Sequence, residues 1–137
     1  MNFLRSILAV FFILSLSACV MDIDSSIARY DQVKNQVNLG DSKNKVLAVL
    51  SPAQEDLSNS YKKDPEKYIK DGVRVEIYYF RSDRQPDGLT TDDEFTPYLF
   101  NDDILVGVGW TVLGGPKTQG QTSDSTYISN DNTVIVY

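Results

Sequence analysis

The only thiol in the chain is Cys19, and there is no histidine. Without imidazole, Ser-His-Asp and Cys-His nucleophilic catalysis have no base, and zinc sites with histidine ligands cannot form. Carboxylates are the remaining reactive groups. Asp92, Asp93 and Glu94 stand together, and two acids across a cleft are the machinery of glycoside hydrolysis. Adjacent acids beside a strand are by default a solvated surface. Asp102-Asp103 lacks the spaced oxygen ligands of a calcium loop and reads as a turn. Gly114-Gly115-Pro116-Lys117 lacks the spacing of a phosphate loop and reads as a strand terminator. The sequence therefore predicts no catalytic residues, no metal and no cofactor. One set of side chains is left for recognition: Tyr78, Phe80, Tyr98, Phe100 and Trp110. These aromatics either pack between a sheet and helices or form a partner-binding surface, where Tyr and Trp are enriched.

The surroundings of Cys19 say more about it than its chemistry does. Arg5 gives the first residues one positive charge, and residues 7–16 are apolar except for one serine. Ser17 and Ala18 are small. A basic start, a short apolar run and a small-residue cleavage site describe a secretory signal peptide, too short to span a bilayer. Leu16-Ser17-Ala18-Cys19 resembles a bacterial lipobox. That resemblance implies a diacylglycerol on the Cys19 sulfur, cleavage before it and acylation of the new amino terminus. A lone exported cysteine has no partner for a disulfide, which fits. Two or more acyl chains anchor stably, whereas one does not. No aspartate stands directly after Cys19, where Val20 does, so the expected location is the outer membrane, lipid-anchored and facing the periplasm.

The organisation then follows: a signal peptide at 1–18, one domain at 19–113 and a flexible tail at 114–137 that carries a possible terminal strand within 127–137. The chain holds 13 basic against 19 acidic residues. That balance, with no basic stripe, argues against nucleic acid as a partner. It also argues against broad adhesion to anionic headgroups beyond the acyl anchor.

The elements that must position the aromatics are legible from period and punctuation. Ile23, Ile27, Tyr30, Val33 and Val37 recur at helical spacing and predict a helix over 22–38, stopped by Leu39-Gly40. A second helix starts from Asp41 or Ser42 and ends at Ser51-Pro52. Residues 53–72 are polar and without period, and read as a long surface loop. Val73, Val75, Ile77 and Tyr79 alternate with Arg74, Glu76, Tyr78 and Phe80, predicting a strand over Val73–Arg81. Two more strands are expected at 94–101 and 104–113, joined by an Asn101-Asp102-Asp103 turn. Gly107 and Gly109 invite close approach to the last strand. The fold class is α+β, two N-terminal helices packed on a three-stranded antiparallel sheet. If Val73, Val75 and Ile77 face the helices, Tyr78 and Phe80 face outward as a docking patch.

This order resembles the SmpA/OmlA (BamE-like) family of small outer-membrane lipoproteins. The residues that carry the likeness are Leu39, Gly40, Ser42, Val46, Leu50 and Pro52, then Ile77-Tyr78-Tyr79-Phe80-Arg81, then Phe100-Asn101-Asp102-Asp103-Ile104-Leu105-Val106. Ser51-Pro52-Ala53 departs from that family's Gly-x-Pro, and the linkers before Val73 and Glu94 are long for it. The resemblance implies a non-enzymatic binding or scaffold lipoprotein, an accessory to outer-membrane β-barrel assembly with a protein partner in an envelope complex. The same helix-helix-strand module serves β-lactamase-inhibitor-like domains. An inhibitor-like or ligand-binding lipoprotein unrelated to barrel assembly is therefore the alternative.

Overall fold

The computed structural model describes residues 21–117. The expected signal peptide, Cys19 and the expected terminal strand within 127–137 lie outside these residues.

Helix α1 (Met21–Val33) runs on into a 3-10 turn, Lys34–Gln36, and the chain is extended at Val37. A tight turn then forms in which Asn38 N donates to Asp41 Oδ2 at 2.8 Å and Gly40 takes φ +90°. That left-handed conformation is what glycine supplies without steric cost. Ser42 caps α2 (Lys43–Leu50), its hydroxyl accepting from Lys45 N at 3.3 Å. Val46 and Leu50, one helical turn apart, are buried on the sheet side. Each such burial stabilises by about 1.5–3 kcal/mol. A 3-10 turn, Ser51–Gln54, follows, with Pro52 in its first turn, where the missing N–H has no partner to lose.

The α+β class is as expected, but the sheet has four strands. They are β1 (Glu66–Lys70), β2 (Val73–Arg81), β3 (Phe95–Asn101) and β4 (Ile104–Val108), antiparallel and in sequence order. The extra strand, β1, lies in the stretch read as a loop. Four of its five residues are exposed, so it shows no apolar alternation. Its lysines are typical of an edge strand protected against further pairing. Asp71 and Gly72 join it to β2, both at positive φ, and Asp102 and Asp103 likewise join β3 to β4. Two-residue loops of that conformation match strand twist.

The last strand is shorter than the expected 104–113. Gly109, at φ +89°, turns the chain out of the sheet, and Trp110–Leu113 form a 3-10 turn instead. Trp110 and Val112 thus do not share a strand face with Ile104. The turn folds back so that Val112 lies about where a Cβ on Gly107 would sit, 3.0 Å from it. This is the close approach expected at Gly107.

The facing of β2 is the reverse of the one considered. The core gathers Tyr30, Val46, Leu50 and Ala53 from the helical side with Phe80, Tyr98, Phe100 and Leu105 from the sheet. Tyr78 packs against it. Even-numbered residues of β2 therefore face the helices, and Val75, Ile77, Tyr79 and Arg81 occupy the other face. Period-two reading could not decide this, because both faces of β2 are covered. Tyr30 stacks on Phe80 at 6.4 Å, Phe80 meets Tyr98 edge-on at 5.4 Å, and the Tyr30 and Tyr98 hydroxyls share a buried 2.9 Å hydrogen bond. These contacts fix α1 to the sheet.

Candidate binding groove

β1 stops opposite Ile77, while β2 runs on to Arg81. At Arg81 the side chain of Gln54 takes the place of a neighbouring strand. Its Nε2 donates to Arg81 O at 2.9 Å, and its Oε1 accepts from Arg81 N at 2.8 Å. Between Gln54 and the start of β1 lies an open groove of about 620 Å³. Leu47, Ala48, Ser51 and Pro52 line it from α2 and the turn beyond. Tyr78, Tyr79 and Phe80 line it from β2, and Lys62, Lys63 and Pro65 from the segment leading into β1.

The polar groups around the groove are held in place. Lys63 Nζ donates to Asp92 Oδ1 at 2.7 Å and lies 4.7 Å from the Tyr79 ring centroid. Tyr79 donates its hydroxyl proton to Glu66 at 2.7 Å. Burial first, and then Glu66, push the Tyr79 hydroxyl well above its ordinary range, so it stays protonated. Tyr78 donates to Glu76 Oε2 at 3.1 Å. Lys62 reaches the Glu55 carbonyl at 3.4 Å. The arrangement offers apolar and aromatic surface flanked by Lys62 and Lys63, the second with its ammonium paired to Asp92 beside the Tyr79 ring. It can bind a side chain or a short peptide stretch.

The five aromatics singled out from the sequence separate. Tyr98 and Phe100 are sealed in the core, and Phe80 is buried there with only an edge on the groove. Burial raises the Tyr98 hydroxyl, helped by its bond to Tyr30. These three do the packing and present no outward patch. Tyr78 is half-buried and lines the groove. Trp110 lies on the other side of the sheet, stacked on Tyr79 at 5.7 Å with Nε1 donating to Phe95 O at 2.7 Å. Leu47, Pro52, Lys62 and Lys63 carry no sequence signature of a site. The one available pointer was the length of the 53–72 stretch.

The three neighbouring acids do not share a cleft as a pair. Glu94 is fully buried, and its carboxylate takes Arg81 at 2.7 Å, Gln85 N at 2.8 Å and Thr91 N at 3.0 Å. Asp92 holds Lys63 and accepts from Lys117 N at 3.0 Å. Asp93 accepts from the Thr91 hydroxyl. Among the described residues no group of three or more His, Cys, Asp or Glu is placed to hold a metal ion.

No curated protein and no solved structure matches the chain. A family model does match, over residues 19–114, and the chain belongs to that family, described as a protein of unknown function (DUF3192).

Proposed function

We propose that the chain is an envelope lipoprotein, anchored through Cys19 in the outer membrane and facing the periplasm, that acts as a non-enzymatic protein-binding module. The observation that carries this reading is the groove beside Tyr78. It joins apolar walls from Leu47, Pro52 and Pro65 to an aromatic floor and two rim lysines. Aromatic surface of this kind, partly desolvated and rimmed by charge, is where binding energy concentrates in protein interfaces. The sequence supports the anchor through its signal peptide and Leu16-Ser17-Ala18-Cys19, and the family match opens on Cys19. Among the described residues no helix is long and apolar enough to cross a membrane, so the proposal rests on lipid for attachment.

A photocrosslinking residue at Leu47 or Lys62, used in intact envelopes, is expected to capture one dominant protein that a residue at Asp71 does not. Adducts absent at both groove positions but present elsewhere on the domain would remove the groove from the proposal. The narrower form, an accessory of β-barrel assembly, rests on the resemblance to the SmpA/OmlA family. It expects barrel-assembly subunits to co-purify from detergent-solubilised envelopes, and recovery without any of them counts against that form alone.

A further inference from the structure

We infer that the end of the domain formed by the first turn of α1 and the loop from Arg84 to Thr91 rests on a zwitterionic headgroup layer. The hairpin end then points away into solution. The inference rests on lipidation of Cys19, and adds to it an orientation. Only Val20 separates Cys19 from Met21, the first described residue of α1. Two residues of chain reach at most about 7 Å in any conformation. An acyl anchor on Cys19 is therefore a short post and holds whatever lies beside the start of α1 at the membrane surface.

The neighbours of that start are defined. Asp24, in the first turn, pairs with Arg84 Nη1 at 3.4 Å. Ile27, Ala28 and Asp31 of α1 form an open groove with Asp83, Arg84 and Pro86. The loop beyond is not free to swing away, because Gln85 N and Thr91 N both donate to the buried Glu94 carboxylate. Within it Leu89 is 60% exposed among polar neighbours, its N–H donating to Asp87 Oδ1 at 2.9 Å. An exposed leucine in a loop fixed at both ends, and tied through Arg84 to the first turn of α1, is placed to enter the boundary between headgroups and acyl chains. Asp24, Asp31, Asp83 and Asp87 outweigh Arg84 and Lys34, which pair with Asp24 and Asp31, and the net negative charge repels anionic lipid and suits headgroups carrying an ammonium.

The opposite end carries the turns at Asp71-Gly72 and Asp102-Asp103 and the connector at Leu39-Gly40. The connector is tied to that end by Gly40 N donating to Leu105 O at 2.8 Å and by Lys43 N donating to Asp103 O at 2.7 Å. The nine residues of β2 separate the two ends by roughly 27 Å at ~3.3 Å per residue. Leu39, 66% exposed, marks the far end.

Cys19 is the only cysteine and is consumed by the lipid, so a single introduced thiol labels cleanly. The acylated L89C and L39C proteins, each carrying a thiol-reactive fluorophore, are reconstituted in phosphatidylethanolamine/phosphatidylcholine vesicles containing spin-labelled lipid. Quenching several-fold stronger at position 89 than at 39 is expected, with the order reversed for a water-soluble quencher. Equal quenching, or stronger quenching at 39, overturns the orientation. A rise at 89 on adding phosphatidylglycerol overturns the choice of a zwitterionic surface. Intact mass of the same samples keeps the two levels apart. A chain recovered from membranes without an acyl adduct refutes the lipoprotein reading and the inference together, whereas an acylated chain with position 89 unquenched refutes the inference alone.

Discussion

The two ends of β2 solve the same problem, a buried charge, in different ways. At its C-terminal end Arg81 and Glu94, 2% and 0% exposed at their side chains, meet at 2.7 Å. The guanidinium lies 5.6 Å from the Tyr61 ring centroid and 5.4 Å from that of Phe95, and its Nε has no hydrogen-bond partner. Near the N-terminal end Glu76, almost as buried, is approached by three cations. Lys43 is at 2.7 Å, and Lys67 and Arg74 are both at 3.4 Å. Lys43 and Arg74 also pair with Asp103. The first arrangement is one-to-one and sealed from water, so neither partner can be spared. The second is shared and open on its outer side, so its members substitute for one another. A sealed pair fixes a loop, here the one that Glu94 holds through Gln85 and Thr91. A shared cluster adjusts to pH and salt.

Breaking the sealed end gives the largest expected effect. Glu94→Ala leaves Arg81 buried without a counter-ion and also strips the capping box that Thr91 and Glu94 form. Removing one member of a buried pair costs about 3–5 kcal/mol, a large share of a small domain's roughly 5–15 kcal/mol. Denaturant unfolding of the purified protein should show this as a lower midpoint at unchanged slope. A loss under about 1 kcal/mol would mean water reaches Arg81.

The shared end should respond more mildly and should carry the acid sensitivity. The hydrogen bond from Lys43, followed by that from Tyr78, holds the Glu76 carboxyl below its ordinary 4.5. The native state therefore releases this proton more readily than the unfolded chain. Its contribution is complete above pH 4.5 and is lost as pH falls through the lower folded value. Asp41, lowered by the bond from Lys45, acts in the same direction below its ordinary 3.8. Glu76→Gln should cost roughly 1–2 kcal/mol at neutral pH and flatten the acid limb of a plot of Tm against pH. An acid limb unchanged by the substitution would assign the sensitivity to other carboxylates.

The contrast between the two ends also shows what the sequence could reveal. β2 was legible to the residue because Val73, Val75, Ile77 and Tyr79 alternate with Arg74, Glu76, Tyr78 and Phe80. The cap of α2 was legible to within one residue, Asp41 or Ser42, because both stand directly before an apolar helical face, and the structure selects Ser42. Which face of β2 meets the helices was not, since apolar groups occupy both and only the register with β3, Tyr78 opposite Tyr98, decides it. β1 was hidden because an edge strand exposed on both faces has no hydrophobic period, although Asp71-Gly72 before the alternating run was a hairpin signal. The groove was invisible for a deeper reason. It arises from where β1 stops and where Gln54 replaces it, and neither position is written in residue type.

β1 belongs to the open end, and its turn can be weakened locally. Gly72 sits at φ +81° with space around it, so Gly72→Ala meets backbone strain and no collision. A cost of about 1 kcal/mol is expected. Amide exchange should rise along Glu66–Lys70 and leave the protection of β3 unchanged. Faster exchange throughout the sheet would show that β1 supports the core rather than merely edging it.

The smallest effect tests the redundancy itself. Lys67 is 57% exposed at its side chain and lies 3.4 Å from Glu76 Oε2 and 5.6 Å from the Tyr78 ring centroid. Its ammonium is raised above its ordinary range by Tyr78 first and Glu76 second. An exposed lysine held this way gains little net energy, because water and salt screen it and its long side chain loses freedom on being fixed. Lys43, 2.7 Å from Glu76, is untouched by the loss of Lys67, so Glu76 keeps its main counter-ion. Lys67→Ala should therefore leave the unfolding midpoint almost unchanged, and the small difference should vanish in high salt. The same substitution made in a Lys43→Ala background should cost more, because Lys67 and Arg74 are then the nearest remaining cations. Equal costs in the two backgrounds would show that the cations act independently, and the distinction between a sealed end and a shared end would reduce to a difference in burial.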